Sequence, residues 1–251
     1  MLREFCAENM THVPAAIAAG AGRIELCDNL AVGGTTPSAG VIEAAASYAH
    51  ARGVRVMAMI RPRGGDFVYA AGELASMEAD AGIACELGAD GIVLGCLKPC
   101  DEAAYRRARV AAIRAGALPG AGPVPYRGGY RLDLDAVGHL AGYAAEMGAE
   151  VVFHMAFDEL DRAAQLEAVD QLADHGVARI LTHGGPAGTP IDGNLPWLRE
   201  LVARAAGRVA ILPGGGVTHR NAEAVARELG VGEVHGTRVV DLAAAVPARE
   251  G

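Results

Sequence analysis

Carboxylates and thiols recur at the same spacing in two short apolar segments of this sequence. Glu4 and Cys6 stand two residues apart in LREFC, and Glu25 and Cys27 stand two residues apart in RIELC. If both segments are β-strands, each pair lies on one face, because the side chains of a strand alternate between its two faces. Arg61 follows the segment RVMAMI and is in phase with its two methionines. Should these faces point inward, carboxylates, thiols and a guanidinium group line one cavity.

This set of side chains could support catalysis on a small anionic metabolite. Glu4 or Glu25 could act as a general base. His154 could act as an acid or as an electrophile, with Asp158 four residues later to orient it. Arg61 could clamp a carboxylate or a phosphate group. Isomerase, lyase and aldolase chemistry all suit such a set, so the residues alone assign no reaction and leave open whether the protein is an enzyme.

The segment AMIRPRGGDF, residues 58–67, places two arginines and a carboxylate where a strand should end. Its proline removes a ladder donor, and its two glycines permit the positive φ angles of a tight loop. We expect Arg61 to point inward, to pair with Glu25 and to meet a ligand, whereas Arg63 and Asp66 should pair or cap within the loop. A purely structural ion pair between Arg61 and Glu25 is the alternative, because a buried charge must be paired.

Three successive glycines, Gly214, Gly215 and Gly216, follow the apolar run VAIL and one proline. Glycines at such a position let backbone N–H groups face a ligand, and barrels of alternating strands and helices often bind phosphate after their seventh strand. The sequence therefore offers a candidate anion site. A tight turn that requires positive φ angles is the alternative reason for the glycines.

Short β-branched runs alternate with longer Ala-rich stretches whose apolar residues follow helical spacing. We predict eight strands, at residues 2–6, 23–27, 55–60, 91–95, 151–157, 179–184, 208–214 and 233–239. This alternation predicts a parallel sheet and a single (β/α)₈ TIM-barrel domain over residues 1–251, with a Gly/Pro-rich insertion around 100–130. A doubly wound sheet is the alternative, but the first strand lacks the Gly-rich turn of dinucleotide-binding folds, so no nucleotide cofactor is indicated.

Composition excludes several classes of function. The formal net charge of −8, without any run of Lys or Arg to offset it, disfavours nucleic acid as a partner. No uncharged stretch approaches the roughly 20 residues that span a bilayer, and the N-terminal residues have no signal-like apolar run, so we expect a cytoplasmic protein that is not in the membrane. The five cysteines should then be reduced thiols.

Six segments occur in a recognisable order: RIELCDNLAVGGTTPSAGVI, MIRPRGGDFVY, GADGIVLG, FHMAFD, RILTHGG and ILPGGGVTHRN. They closely resemble the signature segments of the CutC family, which is named for copper homeostasis and built as a (β/α)₈ barrel. The resemblance covers most of the chain outside residues 100–130. It implies a homo-oligomer with a role in copper homeostasis, and it implies Cys6 and Cys27 as the thiolate pair that would bind Cu(I).

Thiolates are soft ligands that suit Cu(I), although free cysteines also serve as small buried hydrophobes. The chain departs from the family pattern at Met155, where the pattern has arginine, at His183, where it has serine, and in the 100–130 insertion. Two hypotheses remain at this level. The partner is a copper ion bound by thiolates at the mouth of the barrel, or a small phosphorylated or carboxylated metabolite on which a TIM-barrel enzyme acts.

Overall fold

The computed structural model describes residues 1–117, 124–186 and 188–245. Its ten strands in chain order are β1 (Leu2–Glu8), β2 (Arg23–Cys27), β3 (Arg55–Met59), β4 (Gly91–Leu94), β5 (Leu97–Pro99), β6 (Tyr130–Leu132), β7 (Glu150–Phe153), β8 (Arg179–Thr182), β9 (Ala210–Pro213) and β10 (Glu233–Gly236). Eight of them form one parallel sheet in the order β10-β1-β2-β3-β4-β7-β8-β9. The eight predicted strands are these eight.

Helices connect the strands of the sheet and cover its outer face. They are α1 (Val13–Ala18), α2 (Ala39–His50), α3 (Ala71–Glu86), α4 (Glu102–Arg114), α5 (Leu134–Glu146), α6 (Arg162–Asp174), α7 (Leu195–Ala205) and α8 (Ala222–Leu229). The predicted (β/α)₈ barrel is confirmed, and the carboxyl ends of all eight parallel strands meet at one mouth. Across the described residues, every helix is too short or too polar to cross a membrane.

The barrel closes without a backbone ladder at one seam. The sheet order begins with β10 and ends with β9, so these two strands are neighbours that no ladder joins in the described chain. An isolated bridge between Thr218 and Arg238, just beyond the two strands, marks where they meet. Side chains complete the closure, since Arg179 at the start of β8 lies 2.8 Å from Glu233 at the start of β10.

The segment around 100–130 is more regular than its Gly/Pro content suggests. Strands β5 and β6 pair antiparallel, and α4 lies between them, so a strand–helix–strand unit stands between β4 and α5. Sequence reasoning missed α4, of whose residues only Tyr105 is buried. The most Gly- and Pro-rich part of the predicted insertion, residues 118–123, lies outside the described residues.

Side chains divide the core into two clusters on either side of the sheet. The outer cluster packs the strands against the helices. The inner cluster fills the barrel with the apolar residues Cys6, Cys27, Met57, Met59, Val93, Val152, Leu181 and Leu212. Cysteines and methionines therefore occupy the centre of the barrel.

Alternating charges close the amino-terminal end of the barrel. The first residue of each of five strands is charged, and because parallel strands begin at the same end, these side chains meet there. The ion pairs run Glu4–Arg23–Glu233–Arg179–Glu150–Arg55. We call this chain of ion pairs the charged floor. It satisfies buried charges with partners of opposite sign, which the low dielectric of an interior requires.

Arg23 should be the residue of the charged floor whose replacement destabilises the protein most. Its side chain is 2% exposed and bridges two carboxylates, whereas Arg55, also the first residue of its strand, is 41% exposed. Replacing Arg23 with Met leaves Glu4 without this partner, and we expect a loss of about 3–5 kcal/mol in the free energy of unfolding. The matched Arg55→Met should lose less than about 1 kcal/mol. Urea unfolding followed by circular dichroism measures both, and equal losses would contradict this assignment.

Candidate functional site

Two thiols and a carboxylate meet inside the barrel between β1 and β2. The ladder sets Cys6 opposite Glu25 and Glu8 opposite Cys27, so the two cysteines are diagonal neighbours. Both sulfur atoms hydrogen bond to the same Glu25 oxygen, Oε1, at 3.5 Å from Cys6 and 3.4 Å from Cys27. The alternation of the two strands thus directs both thiols inward. Contrary to our expectation, Cys6 is not the end of its strand, because β1 continues to Glu8.

A second set of charged groups adjoins the thiols. The Nδ1 atom of His235 on β10 lies 2.8 Å from Oε1 of Glu4, and Arg23 donates to the other oxygen of Glu4. Oε2 of Glu25 lies 3.7 Å from the same Nδ1 atom and has no hydrogen-bond partner. We call Glu4, Cys6, Glu25, Cys27 and His235 together the thiol–carboxylate cluster.

His235 is a member of the cluster that the sequence analysis did not name. It is 6% exposed and stands opposite Glu4 in the ladder between β1 and β10. The first and last strands of a closed barrel are neighbours, so the predicted fold itself contained the signal that brings residue 235 to residue 4. The shared inward phase of the two residues could then have placed the histidine in the site.

His235 and Glu4 carry opposite charges at neutral pH. Burial alone would raise the pKa of the Glu4 carboxyl, but the hydrogen bond and charge of His235, together with those of Arg23, lower it to about 2. Burial also opposes the charged form of His235. The negative charge of Glu25 and the contacts with Cys6 and Glu4 outweigh burial and raise the pKa of His235 well above its usual value.

The two thiols differ in acidity because they lie side by side and interact. That contact with Cys27 is the main effect on Cys6, and with help from His235 it outweighs burial and lowers the pKa of Cys6 to about 5. The same contact and burial raise the pKa of Cys27 well above its usual value. Burial raises the pKa of Glu25 to about 8. Of the two thiols, Cys6 is therefore the one that ionises more readily.

The cluster has the donor atoms of a metal site. One atom each from Cys6, Glu25 and Cys27 lie within 4.8 Å of one another, and so do atoms from Glu4, Glu25 and His235. Glu25 belongs to both triplets. Thiolates and imidazole are ligands for Cu(I) and Zn²⁺, and the thiolates favour the softer ion.

Arg61 does not pair with Glu25, so the expected ion pair was wrong. Arg61 is in phase with Met57 and Met59 and is 3% exposed, as the alternation predicts. Its guanidinium donates to three backbone carbonyl oxygens, those of Val32 at 3.0 Å, Gly34 at 2.8 Å and Gly65 at 2.9 Å. The loop after β2 folds over Arg61 and supplies two of these acceptors. The guanidinium therefore bonds to the loop and not to the carboxylate of Glu25.

The second arginine of the loop, Arg63, stabilises the conformation of the loop, as predicted. Arg63 Nη2 lies 3.2 Å from Oδ1 of Asp66, and Arg63 also pairs with Glu73 at the start of α3. The other oxygen of Asp66 accepts from the Tyr105 hydroxyl at 2.8 Å. The loop after β3 is thereby tied to both α3 and α4.

Asp158 does not orient His154. The chain leaves β7 at Phe153 and enters a 3-10 turn over Met155–Glu159, so strand alternation ends before Asp158. Its carboxylate accepts instead from the Thr182 hydroxyl, from the His183 N–H at 2.9 Å and from the Gly184 N–H at 3.3 Å. Asp158 fixes the loop after β8.

His154 points into the barrel and is 4% exposed. Its Nδ1 atom accepts a hydrogen bond from the Ala156 N–H at 3.0 Å, while Nε2 is buried without a partner. Burial and, secondarily, the positive charge of Arg61 lower the pKa of His154 to about 3. The imidazole is therefore neutral, with its proton on Nε2.

Backbone conformation explains why two residues of the triplet are glycine. Gly215 and Gly216 have φ angles of +72° and +89°, which favour glycine. The Gly214 N–H donates to the Thr182 carbonyl at 3.0 Å, so it is not free for an anion. A Cβ at Gly214 would lie 2.6 Å from a Leu181 methyl group, and close packing explains that glycine. Anion binding at the triplet stays a prediction for Gly215 and Gly216.

The parallel barrel with its polar interior defines a protein of the TIM-barrel class. Deoxyribose phosphate aldolase from Aeropyrum pernix has the same fold, with a TM-score of 0.61 over 97% of this chain and 88% of that chain. Its sequence identity is only 14%, so the likeness concerns the fold alone.

The particular family follows from closer matches. The CutC family model matches residues 1–121 and 126–240, and the chain belongs to the CutC family. The family protein CutC of Enterococcus faecalis is 49% identical over 240 residues, which cover 96% of this chain and all of that protein. The solved structure of a candidate copper homeostasis protein CutC from Streptococcus agalactiae has a TM-score of 0.80 and 41% identity, and the match covers 96% of this chain and 100% of that one.

The lowered pKa of Glu4 predicts a defined pH dependence of stability. A carboxyl whose pKa is lower in the folded state contributes stability above its unfolded pKa, and that stability is lost as the pH falls towards the folded value. Between pH 4.5 and about pH 2, Glu4 should therefore account for about 3 kcal/mol of the loss in unfolding free energy. Glu4→Gln should flatten the profile by this amount, whereas Glu8→Gln on the same strand should keep the original slope. Chemical unfolding at several pH values measures the slopes, and a Glu4→Gln slope equal to that of the original chain would refute the assignment.

Proposed function

We propose that this protein binds one Cu(I) ion through Cys6 and Cys27 and that it serves copper homeostasis in this way. The observation that carries the proposal is the convergence of two buried thiols on one oxygen of Glu25, at 3.5 and 3.4 Å. The candidate ligand atoms lie within 4.8 Å of one another. This spacing suits one ion that both sulfurs coordinate, with bonds of about 2.3 Å as in zinc–thiolate sites. The description of the Streptococcus agalactiae relative supports the same role.

The charges around the thiols suit a monovalent soft cation. Two thiolates with Cu(I) carry one net negative charge, and the His235 imidazolium can balance it within the same cluster. Cys6 ionises readily, and its lowered pKa means that one of the two thiol protons is already weakly held. Metal binding must also displace the more tightly held proton of Cys27.

Two of the three remaining cysteines offer a matched control. Cys85 is half-buried and Cys100 is exposed, and both lie outside the thiol–carboxylate cluster. We expect anaerobic titration against a Cu(I) chelator to give one bound ion per chain for the original protein and for Cys85→Ser/Cys100→Ser. Cys6→Ser/Cys27→Ser should lose at least about tenfold in affinity, because serine offers no soft ligand.

Circular dichroism would establish that both double variants are folded. Retention of the original Cu(I) affinity by folded Cys6→Ser/Cys27→Ser would overturn the proposal. Titration with Zn²⁺ under the same conditions tests selectivity, and tighter binding of Zn²⁺ than of Cu(I) would count against a copper role.

A further inference from the structure

Arg61 carries a buried charge that no carboxylate of the described residues neutralises. Its side chain is 3% exposed, and its three partners are neutral carbonyl groups of the backbone. Within the described ranges, no carboxylate oxygen lies within 4 Å of its guanidinium, and the Nε atom has no acceptor. Buried guanidinium groups ordinarily pair with an anion, since an uncompensated charge in an interior is costly. Among the described residues, the guanidinium therefore lacks a negative partner.

His154 supplies a second donor without an acceptor. Because Nδ1 accepts the Ala156 N–H, the ring proton is on Nε2, and this N–H is buried and unpaired. An unpaired buried donor is destabilising, and native structures contain few of them. None of the metal-binding or ion-pairing groups described above uses this atom.

The two unpaired donors adjoin the same aromatic ring. The centroid of the Phe67 ring lies 4.8 Å from Arg61 Cζ and 4.9 Å from the centre of the His154 ring. The Tyr69 hydroxyl is a third buried polar atom without a partner, and Tyr69 also lies close to Arg61. A neutral imidazole N–H, a phenol and a guanidinium together favour a ligand that accepts hydrogen bonds and carries negative charge.

A cleft adjoins these groups on the outer side of Phe67. Its volume is about 370 Å³, and Gly65, Phe67, Leu97, Tyr126 and Tyr130 are among its walls. Gly65 connects the two features, because its carbonyl oxygen accepts from Arg61 while the residue also lines the cleft. The cleft is large enough for the body of a small metabolite, and its aromatic walls suit an apolar part.

We propose that Arg61 and His154 form an oxyanion-binding site at the mouth of the barrel, separate from the thiol–carboxylate cluster. The site takes the carboxylate or the phosphate group of a small metabolite, whose remainder occupies the cleft beside Phe67. Arg61 supplies the charge, and the His154 Nε2–H and the Tyr69 hydroxyl supply hydrogen bonds. The proposal does not depend on copper binding.

Calorimetric titration with inorganic phosphate and, separately, with malonate tests this site and tells the two sources of the oxyanion apart. We expect at least one of the two to bind the original chain. Arg61→Met, which keeps the length of the side chain, should weaken that binding about tenfold or more, the factor expected for a charge-assisted hydrogen bond. His154→Phe should weaken it several-fold, whereas His154→Gln retains an N–H donor and should lose less.

Arg127→Met is the matched control, because Arg127 also lines the cleft but is exposed. Its affinity should stay within about twofold of the original, since exposed charges are screened by solvent. Cys6→Ser/Cys27→Ser should bind the anion unchanged, which separates this site from the copper site. Absence of binding by both anions at about 10 mM, or equal losses in Arg61→Met and Arg127→Met, would overturn the proposal. If Arg61→Met does not fold, an unchanged affinity in folded His154→Phe would overturn it equally.

Discussion

The Glu4 carboxylate is the contact on which the interior of this barrel depends. In the two ladders of β1, Arg23 stands opposite Glu4 on one side and His235 stands opposite it on the other. Each partner takes one carboxylate oxygen, and Glu4 is only 1% exposed. A shift of either ladder by one residue would move a charged partner to the outer face and leave the carboxylate alone in a low dielectric. The register of β10, β1 and β2 is thus fixed by charge as well as by apolar packing.

Because Glu4 belongs to both the charged floor and the thiol–carboxylate cluster, the charged floor influences the chemistry of the thiols. Arg23 connects Glu4 to the charged floor, and His235 connects it to the thiols. The cations on both sides make it possible to bury Glu25 and an acidic cysteine at the barrel centre. Nearer the mouth, Arg61 has no such counter-charge among the residues that the structure describes. The charges around the thiols therefore balance one another, whereas the positive charge of Arg61 at the mouth has no counter-charge among the described residues.

Alternation within strands predicted the direction of side chains but not their partners. The inward positions of Cys6, Cys27 and Arg61 follow from period two, which is a local property of each strand. The partners of Arg61 and Asp158 could not be predicted in this way, because loop carbonyls reach the guanidinium and a 3-10 turn ends the strand before Asp158. His235 required a contact across the whole chain, which only the closure of the barrel supplies.

The seam between β9 and β10 gives the barrel a preferred line of opening. Elsewhere in the sheet, separating two strands breaks a row of amide hydrogen bonds, but at the seam it breaks mainly side-chain contacts such as that between Arg179 and Glu233. Local opening follows the least protected boundary of a structure. Among the described residues, a backbone ladder therefore holds the strand that carries His235 on one edge only, the edge that pairs with β1. Amide protons on the free edges of β9 and β10 should exchange with solvent before those of the other strands.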